Sequence, residues 1–467
     1  MIIKNMDIPN KSTISLNTIG TFCDWGMVYA LSAAVFFLPV SIALLNTFAV
    51  LAIFFYLLKK ITRIVIDWPL KTTNLNFNGK IRFIWESLGA PVNVLNRPLL
   101  FLVFAMFLSV VFSQYPALSL KAFVGKFLKC VFLYFSFIEV FTDEKRIWMF
   151  LKFFMAGAFL TALSGVIQHF FGWEFFRKHL LTGNRVNSFF YTANGFGAYL
   201  LPVIGLVIHF LYTAIVRNKS WVSGVVLAFF LVLLLTCLCW TYSRSSWIGF
   251  LAILFAMVLL DWRKLLIVGA LLLVFIFIFL PSLNNVRHMH LINDSGRVCK
   301  LQNEDYNHGV NCIQYFTFVI EQGGGDGRVN FWKKAVSIIR LSPVCGTGLN
   351  TYSRIIKRDP NRDTWWYAHN CYLQLTAETG LIGLTCFLWM LFVLLRHGFN
   401  CCKQIKDLWP LTILQGTLAG LFGFLVQSCF DNTFYTVQLG MLMWFFFGLM
   451  MAVTRLKPVL HKETALG

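Results

Sequence analysis

The fold is decided by WVSGVVLAFFLVLLLTCLCWTYSRSSWIGFLAILFAMVLL, residues 221–260. This stretch contains two apolar runs, and its only charged side chain, Arg244, lies in the short polar segment between them. A helix needs about 20 apolar residues to cross the roughly 30 Å hydrocarbon core of a membrane. The stretch therefore predicts two membrane-spanning helices joined by a turn that carries an arginine.

The composition of the whole chain agrees with a membrane protein. Residues of the set AVILMFWYC make up 58% of the 467 residues and charged residues 13%, against about 45–50% apolar, glycine included, and about 25% charged in soluble proteins. The net charge of +20 is explained by basic cytoplasmic loops that meet anionic lipid head groups. We therefore expect membrane lipids as partners and no nucleic acid.

Similar apolar runs recur along the chain and predict about twelve membrane-spanning helices. The predicted spans are 27–42, 43–58, 97–113, 118–140, 147–170, 195–215, 221–240, 245–260, 264–281, 378–395, 408–430 and 434–454. The first two share one continuous apolar run, which favours a tight hairpin. The predicted fold class is an all-α polytopic membrane protein.

The distribution of Lys and Arg predicts the orientation of these spans. One set of connecting loops is much richer in Lys and Arg than the other, which indicates that both termini are cytoplasmic. The predicted division is residues 1–281 with transmembrane helices 1–9, residues 282–377 as one large periplasmic loop, and residues 378–467 with helices 10–12 and a cytoplasmic tail.

The large loop contains a predicted element of its own. RVNFWKKAVSIIRL, residues 328–341, has apolar residues at helical spacing and predicts an amphipathic helix. Cys299 and Cys312 are one candidate disulfide pair if the loop is periplasmic, but the spacing of the cysteines does not fix their connectivity.

The chain lacks the motifs of several enzyme classes. It contains no P-loop, no dinucleotide-binding glycine fingerprint, no HExxH and no paired CxxC pattern. These absences argue against ATP-driven, nicotinamide-dependent and metal-dependent chemistry. We predict no cofactor and no metal site.

Three arginines lie in three different predicted outer segments: Arg185, Arg244 and Arg328. An arginine near the hydrocarbon costs about 2.5–3.5 kcal/mol on insertion scales, and Arg244 also departs from the positive-inside trend. A guanidinium offers a fixed fork of donors that matches a phosphate, so three converging arginines predict a pyrophosphate site. The alternatives are interfacial snorkelling for Arg244 and an ordinary solvated loop position for Arg185.

His369 is the candidate for chemistry, because histidine is the usual general base near neutral pH. It lies in AHNCYLQLTAETGLIGL, residues 368–384, just before the tenth predicted span. Asn370 follows it, and Gly380 and Gly383 suit close helix approach within a membrane. The alternative is an interfacial histidine whose hydrogen bonds are satisfied within the protein.

Other polar residues near the outer boundary are weaker candidates. Lys121, Lys126 and Lys129 point to the same anion site, and the alternative is that Lys126 and Lys129 are structural partners of buried carbonyls. Asp431 and Asn432, between the last two predicted spans, are candidates for orienting the base or binding sugar. Helix capping is the favoured alternative for that pair.

The segment that begins at His369 resembles the signature of the O-antigen ligase family, His-(Asn/Ser/Gln)-x9-Gly-x-x-Gly, within the ligase–polymerase superfamily of bacterial envelope glycans. The matching residues are His369, Asn370, Gly380 and Gly383. Three further segments resemble parts of the same family: TYSRSSWIGF (241–250), GRVNFWKKAVSIIRLSPVCGTGLNTY (327–352) and GNRVNSFFYTANGFGAYL (183–200).

The resemblance implies a metal-independent, inverting glycosyltransferase with the C-type membrane fold. The implied donor is a glycan on undecaprenyl pyrophosphate, and the implied acceptor is lipid A–core or another glycan. His369 would deprotonate or orient the acceptor hydroxyl. The predicted substrate-binding residues are Arg244 and Arg328 on the pyrophosphate, Arg185 as a further donor contact, and Asn370 and Lys121.

The implied location is the bacterial inner membrane, with the active site facing the periplasm. Two related activities stay open: a polymerase that joins lipid-linked repeats, and a protein O-oligosaccharyltransferase. A transporter or flippase is disfavoured because its polar residues would occur at mid-membrane depth. The sequence does not fix the acceptor, the sugar composition or the oligomeric state.

Overall fold

The computed structural model describes residues 11–72, 80, 89, 91–173, 185–217, 220–289, 328–356 and 367–456. The candidate disulfide pair, Cys299 and Cys312, lies outside these residues.

The described residues form a succession of helices. They are α1 (Lys11–Phe37), α2 (Ile42–Thr72), α3 (Asn96–Val111), α4 (Pro116–Ala122), α5 (Lys129–Val140), α6 (Glu144–Phe171), α7 (Ala193–Tyr212), α8 (Trp221–Trp240), α9 (Arg244–Leu260), α10 (Leu265–Met289), α11 (Arg328–Leu341), α12 (Tyr352–Ile355), α13 (Cys371–Gln404), α14 (Leu408–Gln427) and α15 (Val437–Thr454). A π-helical segment, Phe123–Leu128, joins α4 to α5, and a second one, Thr213–Arg217, follows α7.

In the described part of the chain, eight helices are long and apolar enough to cross a membrane. Two further apolar helices, α3 and α9, are shorter. The other predicted spans fall on the helix that the π-helical segment interrupts and on α10, whose last side chains are not described. The protein is thus a helical polytopic membrane protein, and the count of twelve spans stays a prediction.

Large apolar side chains are exposed on these helices, as lipid contact requires. On α8, Val225 and Phe229 are each 66% exposed, and on α9 Phe255 is 58% exposed. Water would disfavour so much exposed apolar surface, whereas lipid tails accept it.

The helices form two compact units: Met1–Asn93, Lys129–Gly157 and Trp444–Gly467 make up the first, and Val94–Leu128 and Ala158–Met443 the second. In the first unit, α1 and α2 form the predicted hairpin. The turn covers residues 38–41 rather than the predicted boundary at 42–43. Hydropathy does not mark the bend because the apolar run continues through it, and the local signal is Pro39. The rings of Phe37 and Phe48 stack across the hairpin with centroids 5.6 Å apart.

The second unit contains the predicted site residues except Lys129, a weaker candidate that lies in the first unit. Its centre is α14, which packs against α7 and α9 through glycines. A Cβ on Gly420 would lie 2.8 Å from the Cα of Pro202 in α7, and a Cβ on Gly423 would lie 2.6 Å from the Gly249 carbonyl oxygen in α9. Small residues let helix backbones approach closely in membranes, so this packing holds α7, α9 and α14 together.

The polar stretch after α10 contains the predicted amphipathic helix, α11, over Arg328–Leu341. Ala335 and Ile338 are its buried residues, and they pack in a small core with Tyr352 and Ala377. α13 begins at Cys371, seven residues before the predicted span at 378, because the polar first turns of this helix are buried by protein rather than by lipid. α11 therefore packs against the start of α13.

Candidate active site

Most of the predicted site residues lie at or beside the first residues of four helices, whereas Lys121 lies in the last turn of α4. Arg244 opens α9 and Arg328 opens α11, while His369 and Asn370 precede α13. The fourth helix, α7, presents Asn194 in its first turn to the loop that carries Arg185. Helix N-termini carry unpaired N–H groups and partial positive charge, so this arrangement suits an anionic ligand.

Arg185 joins two of these helix starts. Its Nε donates to the Thr241 carbonyl oxygen at 2.9 Å, and its Nη2 donates to Asn194 Oδ1 at 2.6 Å. The side chain is half-buried, which differs from the solvated loop position weighed as the alternative. These bonds engage two donors of the guanidinium fork and fix its orientation.

The charges of the three arginines act on one another. Burial lowers the pKa of Arg185; Asp431 opposes this shift, while Arg328 and Arg244 add to it. Three cations and one carboxylate thus share an electrostatic environment, although they come from segments far apart in the chain. The excess positive charge favours a ligand with more than one negative charge, because like charges repel until an anion neutralises them.

A tight turn presents Arg244. Tyr242 has a positive φ of 48°, and Ser243 caps α9 by accepting a bond from the Ser246 N–H at 3.4 Å. Arg244 follows as the exposed first residue of the helix. A cation is unfavourable at the positive end of a helix dipole, so a bound anion would relieve the placement of Arg244.

Gln427, at the end of α14, links the helices that carry these groups. The side chain is fully buried, and its Nε2 donates to the Asn194 carbonyl oxygen at 3.1 Å and to Ser246 Oγ at 3.0 Å. Sequence reasoning missed this residue, because a glutamine at the end of an apolar run gives no local signal of its partners.

His369 lies beside a carboxylate. Its Nδ1 is 3.5 Å from Asp431 Oδ1, and the side chains are 38% and 16% exposed. The histidine has a positive φ of 48°, and its ring centroid is 5.3 Å from that of Phe331 in α11. A carboxylate on Nδ1 favours the tautomer whose Nε2 can accept a proton.

The Asp431 carboxyl is ionised at neutral pH. Burial would raise its pKa, but the His369 imidazole, the Asn432 N–H and the Arg328 guanidinium hold the pKa below its ordinary value. The charge that faces His369 is therefore present across the neutral range. Asp431 thus faces the histidine instead of capping a helix, which was the favoured sequence interpretation.

Asn370 has a structural function. It is the N-cap of α13, and its Oδ1 accepts bonds from the Tyr372 and Leu373 N–H groups, both at 3.0 Å. The cap starts α13 directly after His369 and so fixes the position of the histidine relative to the first turn of the helix. The amide oxygen is thereby occupied, and the predicted substrate contact of Asn370 stays a prediction.

A comparison with protein families identifies the segment that carries most of these groups. The model of the family described as O-antigen ligase matches residues 229–388. This segment belongs to the O-antigen ligase family. A comparison with curated proteins gives no match. The ligase-family segment contains Arg244, Arg328 and His369, whereas Arg185 and Asp431 lie outside it and complete the same electrostatic environment from neighbouring parts of the chain.

The three lysines of the sequence prediction differ in their contacts. Lys121 is exposed on α4, and among the described residues no hydrogen bond or ion pair connects it with the arginines or with His369. Lys126 donates to Asn350 Oδ1 at 3.0 Å, and Lys129 donates to Asn46 Oδ1 at 2.7 Å. Lys126 and Lys129 thus bond to amide oxygens within the protein, which resembles the structural pairing given as the alternative. A substrate contact of Lys121 stays a prediction.

The glycine signature of the ligase-family segment breaks α13. Gly380 has φ 68° and ψ −174°, which interrupts the helix. The close approach at Gly380 is to the backbone of a loop, at Val344 and Cys345, and not to another helix as the sequence interpretation assumed. Only glycine combines this positive φ with such close contact.

The loop at 343–348 pairs with the backbone groups that this break leaves open. The carbonyl oxygens of Ala377 and Glu378 accept its N–H groups at 3.0 and 2.9 Å, and the N–H groups of Leu381 and Ile382 donate to its carbonyls at 2.8 and 3.4 Å. Irregular backbone in a membrane protein requires such internal pairing. The loop and the broken helix therefore form one hydrogen-bonded structure.

We expect Gly380→Ala to destabilise the fold. A Cβ there would collide with the Val344 carbonyl oxygen and lie 2.6 Å from the Cys345 nitrogen, and a positive φ alone costs a non-glycine residue roughly 1–3 kcal/mol. Thermal unfolding in detergent measures the effect. Gly269→Ala in α10 is the matched control, because a Cβ at Gly269 meets nothing within 4 Å. Equal midpoints for the two variants would contradict this account of the break.

If His369 is the predicted base, we expect Asp431→Asn to lower the turnover of glycan transfer about 10²-fold, the effect of a misplaced catalytic group. The amide keeps the size of the side chain but removes the charge that orients His369. Initial rates with purified protein measure the effect. Asp407→Asn, an exposed residue before α14, is the control. Unchanged turnover in Asp431→Asn would mean that the carboxylate does not act on the base.

Proposed function

We propose that this protein transfers a glycan en bloc from undecaprenyl pyrophosphate to lipid A–core at the periplasmic side of the bacterial inner membrane. Membership of the ligase-family segment supports a lipid-linked glycan transferase in the membrane. The observation that carries the finer proposal is that Arg244 and Arg328 both act electrostatically on Arg185, while Arg328 also acts on Asp431, the partner of His369.

In the proposed reaction, the acceptor hydroxyl attacks the anomeric carbon of the first sugar of the donor. His369 Nε2 takes the hydroxyl proton while the new C–O bond forms, and Asp431 stabilises the imidazolium. The bond from the anomeric carbon to the pyrophosphate oxygen breaks, and its electron pair leaves with the pyrophosphate. Attack from the face opposite the leaving group inverts the anomeric centre.

The arginines supply the electrostatic part of the mechanism. Negative charge grows on the departing pyrophosphate, and fixed guanidinium donors stabilise it as a divalent cation does in other transferases. Arg185 is already oriented by its bonds to Thr241 and Asn194, so little reorganisation is needed during the reaction. The lipid pyrophosphate is a good leaving group, so the transfer requires no ATP.

Reconstitution tests this proposal. Purified protein in liposomes receives lipid-linked glycan together with lipid A–core, and gel electrophoresis with mass spectrometry reads the products. We expect glycosylated lipid A–core and free undecaprenyl pyrophosphate, with the same yield in EDTA. Longer lipid-linked chains would indicate a polymerase, and glycan on serine or threonine would indicate a protein transferase. Absence of transfer to any of these acceptors would overturn the proposal, and loss of transfer in EDTA would overturn the metal-free mechanism.

A further inference from the structure

A buried carboxylate that the proposed reaction does not use lies in the first part of α13. Glu378 is 1% exposed. Its Oε2 accepts from the Asn350 N–H at 2.8 Å, and its Oε1 accepts from the Tyr352 N–H at 3.4 Å and from Gln374 Nε2 at 3.3 Å. Buried polar groups need hydrogen-bond partners, and these three donors hold the Glu378 side chain in one place.

Two of these bonds fasten the chain that follows α11. Tyr352 packs with Ala335 and Ile338 of α11 in one small core, and its hydroxyl donates to the Phe331 carbonyl oxygen at 3.4 Å. A fixed loop at 350–352 therefore fixes α11, the helix that Arg328 opens.

The third bond leads towards His369. Gln374 donates to Glu378, and its own Oε1 accepts from the Ala368 N–H at 3.3 Å. Ala368 immediately precedes His369 and is fully buried. The same carboxylate is thus connected to the segment of the proposed base and to the helix of one pyrophosphate-binding arginine.

We infer that Glu378 is a positioning residue that sets the spacing between Arg328 and His369. The roles of these two residues rest on the proposed function, whereas the connections through Glu378 rest on geometry alone. Donor and acceptor must meet within a fraction of an ångström for transfer, and a displacement of about 1 Å costs on the order of 10²-fold in rate.

Glu378→Gln tests the connection with almost no change in volume. The amide keeps one acceptor oxygen but turns the other into a donor, which then faces an N–H group. Hydrogen–deuterium exchange should rise about tenfold in peptides covering 347–352 and 328–341, because a buried donor that faces another donor leaves both hydrogen bonds unmade. Peptides from α14 should keep their protection. Unchanged exchange at 347–352 would overturn the inference, whether or not the protein transfers glycan.

Glu139→Gln is the matched control. Glu139 is a partly buried carboxylate that pairs with Lys59 and Lys60 in the other compact unit, so the same chemical change there should leave exchange at 347–352 unaltered. Increased exchange at 347–352 in Glu139→Gln would show a general loss of stability and overturn the specific role of Glu378.

A kinetic cycle separates positioning from general destabilisation. Glu378→Gln should lower turnover about 10²-fold with a smaller change in KM for the lipid-linked donor. In an Arg328→Lys background, most of this loss should vanish, because the spacing no longer serves a bidentate contact. In an Arg244→Lys background the loss should persist. Equal losses in both backgrounds would overturn the inference, and absence of transfer by the wild-type protein would instead refute the proposed function.

Gln374→Met keeps the inference testable if Glu378→Gln does not fold. It removes the bonds of Gln374 to Ala368 and to Glu378 but leaves the bonds from the Asn350 and Tyr352 N–H groups to Glu378, so turnover should fall while residues 347–352 keep their protection from exchange. Full turnover in Gln374→Met would overturn the connection to His369.

Discussion

His369→Ala should lower glycan transfer about 10²- to 10⁴-fold, the contribution typical of a positioned general base, while the protein still inserts and folds. The expected loss is large because the alanine leaves no group beside Asp431 that can take the acceptor proton. Steady-state rates with lipid-linked glycan and lipid A–core in liposomes measure it. KM for the donor should change little, since the arginines proposed to bind the pyrophosphate remain.

His397→Ala is the control for this variant. His397 lies further along the same helix and its Nε2 is 3.7 Å from Cys401 Sγ, with no contact to Asp431 among the described residues. It should transfer at the wild-type rate. Near-normal transfer by His369→Ala would remove the assignment of the base, and equal losses in both variants would point to damage of α13 rather than of the chemistry.

Arg244→Lys should lower kcat/KM for the lipid-linked donor about 10- to 100-fold, since a charge-assisted hydrogen bond contributes about 1.5–3 kcal/mol. Lysine keeps the charge but cannot reproduce the planar fork that binds two phosphate oxygens. The measurement is transfer rate against donor concentration, with the amount of inserted protein held equal.

Arg340→Lys provides the matched exchange at the far end of α11. Arg340 is exposed and lies in the last turn of that helix, so full activity is expected there. Full activity of Arg244→Lys as well would mean that Arg244 only anchors the protein at the membrane interface.

Much of the fold prediction rested on the spacing of apolar residues along the chain. The helix at 328–341 was predicted by its spacing of apolar residues, and the same residues form α11. Periodicity failed at the start of α13, where a polar segment reads as loop until the helix is seen to be capped by Asn370 and buried by protein. Hydropathy predicts the part of a helix that contacts lipid, and it does not predict first turns that pack against other parts of the protein.

The candidate site residues could be predicted where the residue type itself suggests a chemical role. Arginines at an outer boundary and a histidine in a glycine-bearing motif are conspicuous, and the structure brings Arg185, Arg244, Arg328 and His369 into one electrostatic environment.

The contacts of the groups that hold this site in place were not visible in the sequence, although Asp431 was a candidate for orienting the base. Asp431 contacts His369 only through tertiary packing. Glu378 accepts hydrogen bonds from N–H groups of a loop, and the residues next to Glu378 in the sequence do not indicate that loop. The sequence signal for Glu378 was an acidic residue at the start of a predicted membrane span, which indicates the need for a partner without showing which one. Long-range backbone pairing is the information that a single sequence does not contain.

The most direct measurement is an experimental structure of the protein in lipid nanodiscs with undecaprenyl pyrophosphate bound. We expect phosphate oxygens within hydrogen-bonding distance of the Arg244 and Arg328 guanidinium groups, with His369 facing the position of the transferred sugar. A pyrophosphate bound away from these arginines, or His369 opening to the opposite side of the membrane from them, would contradict it.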